Sequence, residues 1–144
     1  MLSLRFYLLI LLLGALALSA AACTKTASTG GLEDTTWILE SYGEQGNLQP
    51  IIEGTEITAV FNSAEGQVRG SAGCNSYFGD YESSNDKLSI PMMAHTEMYC
   101  LEPEGVMEQE NQYLKALQAA ESYQVQDGKL QINCSGQILI YTAE

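Results

Sequence analysis

The sequence predicts an α+β fold that is mostly β: an antiparallel meander closed into a partial barrel, with one amphipathic helix packed on it. Three observations carry this. From Thr35 onward, apolar residues recur at every second position in short successive runs, the spacing at which strand side chains share a face. One segment, Glu102 to Ala120, switches to helical spacing. Asp127-Gly128 then sits between two alternating runs, the strongest short-range signal for a hairpin.

The elements come in this order. Thr35, Trp37 and Leu39 share one face of a first strand. Ile57, Ala59 and Phe61 form another, and Val68 resumes after a turn at Ala64-Glu65-Gly66. Tyr77, Gly79 and Tyr81 alternate with Phe78 and Asp80. Leu88, Ile90 and Met92 alternate with Ser89 and Pro91, and Pro91 implies an edge or a strand end, because proline cannot donate to a ladder. Between 102 and 120, Met107, Tyr113, Leu114, Leu117 and Ala120 fall on one helical face. Pro103 with Glu102, Glu104 and Glu108 suits a helix start, where acids complement the dipole. Tyr123 and Val125 lead into the Asp127-Gly128 turn, Leu130, Ile132 and Cys134 come next on one face, and Ser135-Gly136 turns into a last strand from Ile138 to Tyr141. Closing such a meander protects its edges.

Ahead of the domain lies a different kind of segment. Arg5 is followed by an apolar run from Phe6 to Leu18, by the small residues Ser19 to Ala22, and by Cys23. These are the three parts of a secretory signal, and the run is shorter than the roughly 20 residues of a membrane-spanning helix. Ala20-Ala21-Ala22 also satisfies the ordinary small-x-small rule, which would release a soluble protein. With Cys23 the stretch resembles a lipobox, with Ala20 where Leu is usual. We assign residues 1–22 to a signal peptide, Cys23 to lipid attachment, 23–34 to a lipidated N-terminus and flexible tether, and 35–143 to the domain. Several acyl chains on one cysteine make a lasting anchor, and a tether of about ten residues spans roughly 17–20 Å. Thr24, not Asp, comes after the cysteine. The expected location is the cell envelope, on the outer membrane facing the periplasm if the cell has two membranes.

The chain from Cys23 onward carries Lys25, Arg69, Lys87, Lys115 and Lys129 against 18 acids, a formal balance of minus thirteen. That excludes a phosphate-backbone partner as the natural one and disfavours electrostatic adhesion to anionic lipids. The cysteines lack paired zinc spacing and His95 is the single histidine, so neither metal nor cofactor is expected. Asp80, Glu82 and Asp86 do not match a calcium-loop spacing. No phosphate-cradling loop and no nucleophile elbow occurs.

The most specific stretch runs from Val68 to Tyr81. Gly70 and Gly73 permit tight backbone, Asn75 can hold a turn, and Tyr77 and Tyr81 bring apolar bodies with a polar tip. Later, Thr96, Met98 and Cys100 alternate. With Trp37 and Leu39 at the start, Gly70, Gly73, Cys74, Asn75 and Tyr77 in the middle, and Thr96, Met98 and Cys100 before the helix, the chain resembles the META domain family of HslJ-like bacterial lipoproteins. The resemblance covers nearly all of Leu32 to Thr142. It implies a compact β-rich domain like a barrel with one packed helix. It also implies a loose association with heat shock, novobiocin resistance and secretion, and no defining enzyme activity.

With Cys23 lipidated, Cys74, Cys100 and Cys134 remain, in an oxidising setting if the chain is exported. We pair Cys74 with Cys100, as the resemblance favours, and leave Cys134 as a buried thiol; a Cys100–Cys134 pair stays open. The function expected is a non-enzymatic, membrane-anchored binding or stress-response module. Its partner would be an envelope protein or an apolar ligand, with Tyr77, Tyr81, Met92 and Met93 as candidate lining. The competing expectation is a thiol-redox or other small envelope enzyme using Cys74, Cys100 and His95.

Overall fold

A computed structural model describes residues 31–144. The described residues form nine strands and one helix: β1 (Thr36–Glu44), β2 (Asn47–Pro50), β3 (Thr58–Asn62), β4 (Gln67–Ser71), β5 (Ser76–Ser84), β6 (Lys87–His95), α1 (Val106–Gln118), β7 (Ala120–Gln126), β8 (Lys129–Cys134) and β9 (Gln137–Ala143). All named strand pairs are antiparallel, and the sheet runs β2-β1-β3-β4-β5-β6-β7-β8-β9. A long β1–β9 ladder, from Trp37 opposite Ala143 to Glu44 opposite Gln137, brings the two sides together. The result is a closed eight-stranded barrel with the helix packed against it. β2 stands outside the eight. It pairs with the second half of β1, while β3 takes the first half. The alternating pattern from Thr35 onward does not disclose β2, because its four residues are all exposed.

Closure is uneven. The β6–β7 ladder has one registered pair, Lys87 opposite Ser122, supported by Tyr123 N–H donating to Asp86 C=O at 2.8 Å. Beyond it the seam is spanned by α1, which packs on β6, β8 and β9.

Alternation decides what fills the barrel. Trp37, Leu39, Phe61, Val68, Tyr77, Tyr81, Leu88, Ile90, Leu130, Ile132, Leu139 and Tyr141 all point into one continuous core with Tyr113 and Leu117 of the helix. An eight-stranded barrel is just wide enough for side chains to fill its interior. Phe61 and Tyr81 meet edge to face at 5.2 Å between centroids.

In the strands and at the start of the domain, two expectations need correction. Met92 does not share a face with Leu88 and Ile90. The β5–β6 register shifts between Asp80 and Glu82, so Tyr81 opposes both Ile90 and Pro91. A bulge of one residue reverses the inward and outward sense of the residues beyond it, and Met92 is 75 % exposed while Ile90 is buried. Second, Leu32 to Asp34 belong to the domain and not to the tether. Leu32 is buried, its C=O accepts the Trp37 indole N–H at 2.9 Å, Glu33 bridges to Phe61, and Asp34 accepts the Ser63 hydroxyl at 2.6 Å. Trp37, fully inside the barrel, must place its N–H on an acceptor, and this holds the preceding turn down. The rest of the tether, Cys23 and the signal segment lie outside the described residues, save exposed Gly31.

The helix starts at Val106, later than the spacing predicts, because Gly105 precedes it in the left-handed region at φ 86°. Glu102 and Glu104 therefore remain in the preceding segment. At the other end Ala120 opens β7. Asp127 and Gly128 both take positive φ, 52° and 74°, as the expected two-residue turn requires.

Candidate functional site

The strands alternate in direction, so the barrel has two distinct ends. The first end gathers the starts of β1, β6 and β8, the close of β9, and residues 32–34. The second gathers the close of β1, β4, β6 and β8, the start of β5, and α1. The sequence-specific residues collect at this second end.

Gly73, at φ 108°, turns the chain between β4 and β5 and presents Cys74 and Asn75 to the helix. Asn75 is 2 % exposed and every polar atom it has is satisfied. Its backbone N–H donates to Glu110 Oε2 at 2.6 Å and its Nδ2 to Glu110 Oε1 at 2.6 Å and Met98 C=O at 3.0 Å. Its Oδ1 accepts the Thr96 hydroxyl and the Met98 N–H, each at 2.7 Å. Its C=O accepts the Ala72 N–H at 2.7 Å. One side chain thus ties the β4–β5 turn, the segment after β6, and the helix. Cys74 N–H adds a 3.2 Å bond to Glu110 Oε2.

Covalent geometry repeats the same connection. Cys74 and Cys100 form a disulfide with their Cα atoms 6.0 Å apart, and Cys100 N–H points at the Met107 sulfur at 3.4 Å. One helical turn of α1 completes the frame: Gln109 Oε1 accepts Ile52 N–H at 2.7 Å and its Nε2 donates to Thr55 Oγ1 at 3.0 Å. Gln109 and Glu110 were not singled out from the sequence. A signal exists, since Glu110 stands three, four and seven residues before Tyr113, Leu114 and Leu117: an acid on the apolar stripe.

The clamp holds an exposed apolar tip. Met98, Tyr99 and Leu101 are 56, 78 and 78 % exposed, although the backbone on both sides of Tyr99 is pinned by Asn75 and by the disulfide. The motif residues Gly70, Gly73, Asn75, Tyr77, Thr96 and Met98 are therefore one construction. Gly70 permits β3 and β4 to approach, for a Cβ there would strike the Thr58 carbonyl.

Deeper in the barrel a chain of hydroxyls crosses the core. Tyr77 OH donates to Thr58 C=O at 2.8 Å. Each hydroxyl has one proton, so Tyr113 donates to Tyr77 at 2.7 Å and Tyr141 to Tyr113 at 3.3 Å. Burial raises all three phenols well above their usual range. Cys134 is a buried free thiol, pushed up to about 12 by burial and secondarily by Glu121. His95 is exposed on the closing residue of β6, with Nδ1 2.7 Å from Thr96 C=O.

The four candidate lining residues do not share a cavity. Tyr77 and Tyr81 are packed inside the barrel, with Tyr81 OH donating to Glu33 at 2.8 Å, whereas Met92 stands on the outer surface and Met93 is half-buried.

Fold and site together define a small β-barrel domain plugged by one helix and clamped at that mouth by a disulfide. Residues 30–144 match the META domain, and the chain belongs to that family. Among solved structures it is similar to a protein from Burkholderia xenovorans determined by NMR, at 28 % identity and TM-score 0.67 over 82 % of this chain and 87 % of that one. It also resembles a DUF4847 family protein from Bacteroides vulgatus, a crystal structure, at 15 % identity and TM-score 0.55 over 77 % of this chain and 93 % of that one; at that identity the likeness is one of fold. No curated protein matches.

Proposed function

We propose that this chain is a membrane-anchored envelope lipoprotein whose META domain is a non-catalytic binding module. The observation that carries the reading is the clamped apolar tip: three large apolar side chains held in the open on backbone that a disulfide and a buried Asn75–Glu110 pair make rigid. Removing loop entropy in advance favours association, and exposed aromatic and aliphatic anchors are what interfaces use. The proposed lipid on Cys23 supports display. The described chain enters at the end of the barrel opposite the clamp, so a tether from Cys23 leaves the clamped mouth free to face away from the bilayer. The outer membrane, facing the periplasm, is the proposed site in a cell with two membranes, and tolerance of heat and novobiocin is the proposed setting.

Mass spectrometry of the mature N-terminus tests the anchor. A diacylated or triacylated Cys23 supports it, and an unmodified Cys23 or another first residue overturns it. Thiol counting on the unreduced, unfolded mature protein tests the non-catalytic reading: one thiol, from Cys134, is expected. Three thiols from the domain would restore the redox reading on Cys74, Cys100 and His95. Deleting the gene tests the setting, with lowered survival under heat or novobiocin expected and unchanged survival under both overturning it.

A further inference from the structure

The clamped tip sits in a field of one sign. Glu97, Glu102 and Glu104 flank Met98, Tyr99 and Leu101 in the same segment, and all three acids are exposed. The loop from Ile51 to Ile57 lies against the first turn of α1 through Gln109 and brings Glu53 and Glu56, also exposed, to this end. Glu108 adds a further carboxylate on the outer side of that turn. The cations of the described residues lie away from the tip, although Lys115 shares this end of the barrel through α1. Lys87 and Lys129 open β6 and β8 at the far end, and Lys129 is held by Glu40. Arg69 lies on β4, paired with Glu65 at 3.5 Å. Lys115 is in the last turn of the helix.

Charge selects among the occupants that could cover the tip. A second copy docked tip to tip would set one row of carboxylates against another, and like charges brought together at an interface suppress the pairing. An anionic bilayer would be repelled for the same reason. An apolar segment flanked by lysine or arginine meets both features at once, its apolar residues covering Tyr99 and Leu101 and its cations facing the acids.

Resting on the binding-module reading, we infer that the Met98–Leu101 tip docks an apolar protein segment bordered by basic residues. The tip supplies the contact, and the surrounding glutamates supply steering and selectivity.

Three synthetic peptides test this on the full chain in detergent. One alternates leucine and tryptophan with lysine, a second has glutamate for every lysine, and a third has serine for every apolar residue. Fluorescence anisotropy should show the first binding, more weakly as salt rises, and the other two at least about tenfold weaker. The double variant Tyr99→Ser, Leu101→Ser should lose at least about tenfold. The triple variant Glu97→Gln, Glu102→Gln, Glu104→Gln should flatten the salt dependence. All these side chains are exposed, and an unchanged melting temperature shows that the variants fold. Equal binding of the acidic peptide, or undiminished binding by the double variant, overturns the inference. So does a concentration-dependent dimer that the double variant abolishes, which would make a second copy the occupant. A photo-crosslinker at position 99 in intact cells separates the two levels of failure. Adducts on acidic or uncharged segments overturn the basic partner and leave a binding module standing. No adduct, together with no peptide binding, overturns both.

Discussion

The Glu110 carboxylate holds Asn75 from two sides, taking its backbone N–H on one oxygen and its side-chain amide on the other, each at 2.6 Å. Both residues are 2 % exposed, so water cannot replace either bond. An acid from the helix is thereby built into the turn of a distant hairpin.

Glu110→Gln keeps the shape but turns an N–H group toward the Cys74 and Asn75 donors. Leaving a buried donor unpaired costs about 1–3 kcal/mol, and roughly 3–6 °C of melting temperature accompanies each kcal/mol at this domain size. Glu110→Ala, which orphans more donors, should be worse. Thermal unfolding followed by circular dichroism checks both, and a Gln variant as stable as the parent would show that the carboxylate is dispensable.

The Cys74–Cys100 bond closes 26 residues. In the chain-entropy model that contributes about 3–4 kcal/mol. Cys74→Ser with Cys100→Ser should lower the urea midpoint accordingly. It should also expose the 96–105 segment to limited proteolysis before the barrel strands are cut. Cleavage that begins in the strands would deny the clamp its local role.

The Tyr77, Tyr113 and Tyr141 phenols ionise near 10 in an unfolded chain and well above that when buried. The folded state therefore keeps protons that the unfolded state releases. Their contribution is fully present below about pH 10 and is lost as pH rises toward the folded values. Stability should fall above pH 10, and the tyrosinate absorbance of these three should appear with unfolding and not before it. Tyr113→Phe removes the middle of the chain and should cost about 1–3 kcal/mol, because Tyr141 loses its buried acceptor.

Gly70→Ala drives a methyl into the Thr58 carbonyl of the neighbouring strand. Overpacking of this kind costs about 1–3 kcal/mol. Gly46→Ala, where a Cβ meets nothing within 4 Å, gives the comparison; its positive φ of 87° leaves it a backbone cost of order 1 kcal/mol. Equal melting temperatures for the two variants would contradict the close approach.

Cys134 should resist thiol reagents until the barrel opens, since its folded value of about 12 leaves almost no thiolate at neutral pH. Labelling at the rate of a model thiol would place it outside the core.

Local patterning carried the periods. Alternation from Trp37 to Tyr141 predicted a barrel of antiparallel strands, the 3.6-residue spacing predicted one helix, and Asp127-Gly128 predicted the hairpin. These are local properties: backbone geometry fixes which neighbours share a face. The pattern around Gly70, Cys74, Asn75, Thr96, Met98 and Cys100 was legible as a family resemblance, but its meaning was not. That these residues close on Glu110 and Gln109 emerges from long-range packing. A helix residue and a turn residue 35 positions apart meet through packing, and no local periodicity records that. Tertiary contacts likewise moved Met92 outward through a bulge, drew Leu32 to Asp34 into the barrel through Trp37, and left Met98, Tyr99 and Leu101 in solvent. Hydrophobicity argued for burying those three; the disulfide and the satisfied amide beside them hold the backbone where the core cannot take them.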